Sequence, residues 1–281
     1  MLTLNSPVTN RDLWPPRRYA FRCLNSRKSN VLAEPDRTQF DLHFRLFGFH
    51  VRIHPWFWLG TALFGSNTLS NLGPQFFLAW IAIVFLSILI HELGHAFAFR
   101  RFGVDSHIVL HGFGGLAIPW SRVGKRWQRI LVSLAGPLAG FLLAGIVLGS
   151  HLLTGWGTTN GLAMWVFVQL MWVNVIWGLM NLLPVWPLDG GQVCEEVCSR
   201  FSSWRGRERA LQISMVTAGA MCLYSLFSWV SLKQGAEWLL ELPWWFPLGS
   251  IWTAILFGLL AVQSYQLIQQ AKWQGSHWDQ P

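Results

Sequence analysis

His91, Glu92 and His95 form the spacing H-E-x-x-H within the segment ILIHELGHAFAFRR. On a helix, residues four positions apart lie one turn apart on the same face, so two imidazoles at this spacing can bind one tetrahedral metal ion. Glu92 lies beside them and can accept a proton from water. The three residues therefore predict metal-assisted hydrolysis. The residues alone also leave open a chance match or structural polar packing.

Asp189, in the segment NLLPVWPLDGG at 181–191, is the candidate third ligand, because a catalytic zinc site has three protein ligands and one open position. Pro184 and Pro187 interrupt helical hydrogen bonding, and the two glycines after Asp189 allow a sharp turn. Irregular backbone at membrane depth is tolerated only inside protein or beside water. The other interpretation is that Asp189 caps the amphipathic stretch GGQVCEEVCSRF.

The elements that carry these residues are predicted to be membrane spans. Of the 281 residues, 52% are hydrophobic and 12% are charged, about half the charge of a soluble domain. The 19 Trp are typical of membrane interfaces. The composition predicts an all-α polytopic membrane protein with about six transmembrane helices. The predicted spans are 55–72, 76–99, 130–153, 161–183, 211–232 and 249–270.

Six spans place both termini on one side of the membrane. With the N-terminus in the cytoplasm, every Lys and Arg except Lys233 lies on the cytoplasmic side, as the positive-inside rule requires. The net charge of +8 thus belongs to loops between apolar segments, which argues against nucleic-acid binding. The second span ends at Arg100 and Arg101, which places His91 about 13 Å below the cytoplasmic surface.

The segment 102–120 is too interrupted for a span, and its alternation and glycines predict a small membrane-associated β-hairpin between the second and third helices. His107 and His111 on that strand are interpreted as ordinary polar or interfacial histidines. Residues 1–53 are predicted to be a basic, largely irregular cytoplasmic tail. The transmembrane domain is predicted at 54–270, with a short cytoplasmic tail at 271–281.

The ordered combination of HELGH, LVSLAGPLAG at 131–140 and NLLPVWPLDGG resembles the site-2 protease family of intramembrane zinc metalloproteases, in a compact form without a PDZ or CBS domain. The resemblance extends from about His54 to the loop after the fourth span. It implies that His91, His95 and Asp189 bind one Zn²⁺ per chain and that Glu92 is the general base. It also implies that Asn181 is catalytic, by positioning or stabilising the reacting carbonyl.

The resemblance further implies a zinc metalloendopeptidase that cuts other membrane proteins in or near their transmembrane segments, in regulated proteolysis. Its partners would be a substrate with a transmembrane helix and the lipid bilayer, and its setting the bacterial inner membrane. The 102–120 strand region would pair with an unwound substrate. Asn174 is interpreted as an interhelical hydrogen-bonding residue.

Two other functions are weighed against the protease. An ion-coupled transporter predicts repeat symmetry between the halves of the chain, and the sequence has no evident repeat. A catalytically silent membrane chaperone is expected to lose Glu92 or a ligand, and all are present. The protease therefore remains the favoured prediction, and the sequence predicts no oligomeric state.

Overall fold

The computed structural model describes residues 35–112, 114–158, 160–201, 205–233 and 251–278. The strands are β1 (Leu42–Leu46), β2 (Phe49–Ile53), β3 (Ser106–His111) and β4 (Gly114–Pro119). The helices are α1 (Pro55–Phe64), α2 (Ser66–Leu72), α3 (Pro74–Arg101), α4 (Arg126–Thr154), α5 (Gly161–Asn181), α6 (Asp189–Phe201), α7 (Gly206–Lys233) and α8 (Ile251–Trp278). Residues 1–34 of the predicted N-terminal tail lie outside the described part of the chain.

Five of these helices are long and apolar enough to cross a membrane, namely α3, α4, α5, α7 and α8. They correspond to the last five predicted spans, and the polytopic helical class is confirmed. Between α3 and α4 lies the predicted hairpin, formed by β3 and β4. Helix α8 continues to Trp278, into the segment that was predicted to be a C-terminal tail.

The first predicted span, 55–72, is not one helix, so its prediction as a single transmembrane helix is wrong. It divides at Gly65 into α1 and α2, of 10 and 7 residues. A side chain at Gly65 would collide with the Trp80 ring. The following stretch is rich in Ser and Asn, whose side chains compete for backbone hydrogen bonds; Ser66 and Ser70 both donate to carbonyls one turn earlier.

The sheet is larger than the sequence predicts. It has four strands in the order β1-β2-β3-β4, with β2 and β3 parallel and the outer pairs antiparallel. Residues 42–53 of the predicted irregular tail form the hairpin β1–β2, so that part of the prediction is wrong. A signal was present, since Leu42, Phe44 and Leu46 alternate with polar residues. The turn follows at Phe47 and Gly48, with φ of 51° and 85°.

One face of this sheet packs against α3, which fixes the helix that carries the candidate site. Phe49, Val51, Ile53, Ile108 and Leu110 from β2 and β3 form one core with Val84, Ile88, Leu89, Leu93 and Ala96 of α3. The packing extends from the middle of α3 to the turn beyond His95. Since burying each of these large apolar side chains contributes about 1.5–3 kcal/mol in water, the sheet and α3 form one unit.

Candidate active site

Helix α3 presents both histidines of the H-E-x-x-H motif toward one point. The rings of His91 and His95 lie 4.9 Å apart between centroids, nearly perpendicular. Their Nε2 atoms are 3.2 Å apart. Helical spacing alone accounts for this pair, because the motif lies in an unbroken 28-residue helix.

Asp189, the first residue of α6, meets both imidazoles. Its Oδ2 lies 3.1 Å from Nε2 of His91, and its Oδ1 lies 3.3 Å from Nε2 of His95. Donor atoms bound at about 2.0 Å to a tetrahedral zinc are about 3.3 Å from one another. The three separations therefore fit the edges of such a site. Within the described ranges, His91, His95 and Asp189 form the group of three His, Cys, Asp or Glu side chains whose ligand atoms lie close enough together to hold one metal ion.

The tautomer of His95 supports a cation at this point. Its Nδ1 lies 2.7 Å from the carbonyl oxygen of Val132, and a carbonyl only accepts, so Nδ1 carries a proton. In the neutral ring, Nε2 then directs a lone pair toward His91 and Asp189. Three electron-rich atoms that meet in a buried site need a positive charge among them, either a proton or a metal ion.

The Asp189 carboxylate is ionised, as a metal ligand must be. When a proton occupies the site, burial raises the pKa of Asp189, but the charge of the protonated His95 and the hydrogen bonds that both imidazoles then donate outweigh it and lower that pKa to about 2. Both oxygens of the carboxylate are directed to the histidines. The residues present therefore fit a zinc ion, for which two imidazoles and one carboxylate are suitable ligands.

Gly136 of helix α4 lies directly against the two imidazoles. A Cβ on Gly136 would collide with Nε2 of His95 and lie 2.7 Å from Nε2 of His91. A Cβ on Gly94 would collide with the carbonyl of Ala135 and lie 2.8 Å from the Cβ of Ala139. The glycine in HELGH and the first glycine in LAGPLAG thus let α3 and α4 approach closely. Neither glycine has a role that could be predicted from the sequence alone.

The loop before α6 is folded tightly on itself. A Cβ on Gly190 would collide with the backbone of Leu182, and one on Gly191 would lie 2.5 Å from the carbonyl oxygen of Val185. The Trp186–Pro187 peptide bond is cis. The two glycines after Asp189 therefore serve close backbone packing that turns the carboxylate toward α3.

Strand β4 lies against Glu92. A Cβ on Gly115 would be 2.6 Å from Oε1 of Glu92, and the backbone N–H of Ala117 donates to the same carboxylate. The N–H of Trp120 donates to Asp105, toward β3. In a strand, the backbone N–H and C=O groups of successive residues are directed alternately toward the two neighbouring strand positions. Since Trp120 is directed toward β3, Gly115 and Ala117 direct their backbone groups away from β3. Glu92, which is 5% exposed, thus borders the outer edge of the sheet.

The structure locates the remaining predicted residues as follows. Asn181 is the half-buried last residue of α5, directly before the loop that carries Asp189; its catalytic role stays a prediction. Asn174 donates from Nδ2 to Oγ of Ser87 at 2.9 Å, which confirms an interhelical hydrogen bond. His107 and His111 are buried in β3, and His107 accepts a hydrogen bond from Trp120.

Known proteins match this chain in sequence. The family model for Peptidase family M50 matches residues 79–164 and 157–225, which together are more than half of the chain. A zinc metalloprotease from Methanocaldococcus jannaschii is 27% identical over 188 residues, covering 66% of this chain and 53% of the relative. A putative zinc metalloprotease from Synechocystis is 31% identical over 186 residues, covering 65% and 44%.

The matches cover about half the length of these relatives, so they concern a shared core. A solved structure, a site-2 protease from Methanocaldococcus jannaschii, superposes on 81% of this chain and 94% of its own with a TM-score of 0.52. At 19% identity this likeness shows the fold. The M50 match extends from α3 into α7 and includes all three converging side chains, and the chain belongs to Peptidase family M50.

Proposed function

We propose that the protein is an intramembrane zinc metalloendopeptidase that cleaves other membrane proteins in or near their transmembrane segments, as a step of regulated proteolysis. The observation that carries this proposal is the meeting of His91, His95 and Asp189 beside a buried Glu92. Family membership supports it, and so does the metalloprotease name of the relatives. His91, His95 and Asp189 are assigned as the zinc ligands.

The chain's own residues divide the chemistry between them. A bound zinc ion supplies Lewis acidity, which polarises a carbonyl and makes water more acidic. Glu92 accepts the proton of the attacking water and returns it to the leaving amine, a role that contributes about 10²–10⁴-fold in rate. Asn181 donates from its side-chain amide to the substrate carbonyl, where one such donor contributes about 3 kcal/mol.

The outer edge of β4 accounts for how a membrane segment reaches Glu92. A helical peptide bond is shielded, so the substrate must become extended before it is cut. Gly115 and Ala117 direct backbone groups to the outer side of β4, next to the Glu92 carboxylate. A substrate strand added there has its backbone held by hydrogen bonds beside the general base. The described residues include no strand on that side of β4.

The setting that we propose is the bacterial inner membrane, with both termini in the cytoplasm. Five long helices alone would put the ends of the chain on opposite sides. In this proposal the short helices α1 and α2 together complete a sixth crossing. The basic residues Arg100 and Arg101 at the end of α3, and Arg126 at the start of α4, then lie on the cytoplasmic side.

The test uses the full chain reconstituted in vesicles with a panel of single-span peptides that carry a fluorophore and a quencher on opposite sides of the span. Wild type is expected to cleave at least one peptide and to hold about one zinc per chain. Glu92→Gln should keep its zinc and lose at least about 100-fold in rate, because the general base is gone. Glu208→Gln, on α7, is the matched control and should cleave as wild type does.

Two results contradict the proposal. Equal cleavage by wild type and Glu92→Gln would exclude Glu92 as the base. Failure to cleave any peptide, combined with identical membrane proteins in cells that carry wild type or Glu92→Gln, would exclude the endopeptidase activity itself.

A further inference from the structure

In the loop 182–188, between α5 and α6, Trp186 is the residue whose N–H donates to a helix other than the two that the loop joins. The N–H groups of Leu182 and Leu183 donate to the last turn of α5, and those of Val185 and Leu188 donate within the loop. Prolines at 184 and 187 have no N–H group. Trp186 is different, because its N–H donates to Oγ of Ser214 on α7 at 2.7 Å.

Ser214 is itself held by a second helix. Its Oγ lies 2.8 Å from Oγ of Ser264 on α8, and Ser264 donates to the carbonyl of Leu260 at 2.9 Å. Each hydroxyl has one proton. Since the proton of Ser264 is directed to Leu260, the proton of Ser214 is directed to Ser264. The result is a chain of hydrogen bonds that runs from Trp186 through both serines to the backbone of α8.

The chain of hydrogen bonds lies entirely inside the protein. Ser214 is 1% exposed and Ser264 is fully buried. Water cannot replace a lost partner at such a site, so an unpaired Trp186 N–H would cost about 1–3 kcal/mol. The loop would avoid that cost by shifting. Asp189 is three residues further along the chain and would shift with it.

We propose that Ser214 and Ser264 are positioning residues for the metal site: their hydroxyls fix the loop that aims Asp189 at His91 and His95. The proposal rests on the zinc ligands assigned above. It gives α7 and α8 a part in metal binding although neither helix supplies a ligand. Outer residues that orient a metal ligand typically contribute about 10–100-fold in metal affinity.

The test measures zinc affinity by competition with a chelator, on the full chain in detergent micelles. Ser214→Ala should weaken zinc binding about 10-fold. Ser264→Ala leaves Ser214 in place as the acceptor for the Trp186 N–H, but the Ser214 hydroxyl loses its own partner and can rotate. We therefore expect zinc affinity to fall about threefold. Ser225→Ala is the matched control, because Ser225 is equally buried on α7 and donates to Met221 in its own helix. The control should bind zinc as wild type does.

Cobalt substitution supplies a readout that a purely structural role would not change. The visible absorption of Co²⁺ reports the arrangement of its ligands, and it should change in Ser214→Ala and not in Ser225→Ala. Excess zinc should restore cleavage by Ser214→Ala, since the fault lies in metal retention.

The following results overturn the inference. Ser214→Ala could unfold at a lower temperature yet keep wild-type zinc affinity and cobalt spectrum, in which case Ser214 serves stability alone. If Ser214→Ala does not fold, Ser264→Ala decides, and zinc binding equal to that of Ser225→Ala rejects the inference. His95→Ala separates the two proposals: if it binds zinc as wild type does, the metal site itself is wrongly assigned.

Discussion

Two regions supply the candidate zinc ligands, and they position them by different means. His91 and His95 stand on one regular helix, where the pitch alone brings their Nε2 atoms to 3.2 Å. Asp189 follows a loop interrupted by two prolines and depends on contacts from α5, α7 and its own glycines. A ligand pair on a helix is thus specified locally, whereas the third ligand is specified by tertiary packing. The difference predicts that substitutions far from the metal affect Asp189 more than the histidines.

The largest effect is expected on the helical side, from Gly136→Ala on α4. The new Cβ would collide with His95 Nε2, and the ring cannot turn away without losing its hydrogen bond to Val132. Zinc affinity should fall about 100-fold. Gly145→Ala on the same helix meets open space and is the control. Wild-type affinity in Gly136→Ala would mean that the histidine pair adapts more freely than its geometry suggests.

A smaller effect is expected on the loop side, from Gly191→Ala. Its Cβ would lie 2.5 Å from the Val185 carbonyl and 2.6 Å from the Trp186 nitrogen, so the loop must open. We expect zinc affinity to fall about 10-fold to 30-fold, measured by chelator competition. Gly219→Ala on α7 meets nothing within 4 Å and serves as the control. An unchanged affinity would show that Asp189 is not held by its loop.

The smallest effect is expected from Glu196→Gln, which weakens the link between α6 and α4. Both carboxylate oxygens of Glu196 accept from Arg129, one of them at 2.8 Å, in a partly exposed pair. Such pairs contribute up to about 1 kcal/mol, so zinc affinity should fall no more than about fivefold. Glu195→Gln removes a looser partner, 4.0 Å from Arg207, and should change nothing. A loss above 10-fold would make this link a principal support of Asp189.

The difference between local positioning and positioning by tertiary packing also explains which parts of the structure could be predicted from the sequence. Helical period and apolar composition predicted α3, and with it the histidine pair. Alternation and glycines predicted the β3–β4 hairpin. The β1–β2 hairpin was missed because its alternation lies in a charged segment that was predicted to belong to an irregular tail. The division at Gly65 was missed because it depends on the approach of Trp80.

Long-range contacts account for the rest of the site. Nothing local to Gly115 indicates that it faces Glu92, and nothing local to Gly136 indicates that it faces two imidazoles. Both are consequences of how the sheet and α4 pack on α3. The meeting of Asp189 with the histidines was predicted by resemblance to a family, and the residues alone left helix capping as an alternative.

The hydrogen bond from His95 to Val132 has a mechanical consequence. It joins a side chain of α3 to the backbone of α4 at 2.7 Å, near the close approach of Gly94 to the carbonyl of Ala135. If α3 and α4 moved apart sideways, the imidazole of His95 would tilt and its Nε2 would move away from the other two candidate ligands. Under the proposed function, we therefore expect the substrate to enter the site away from the contact between α3 and α4.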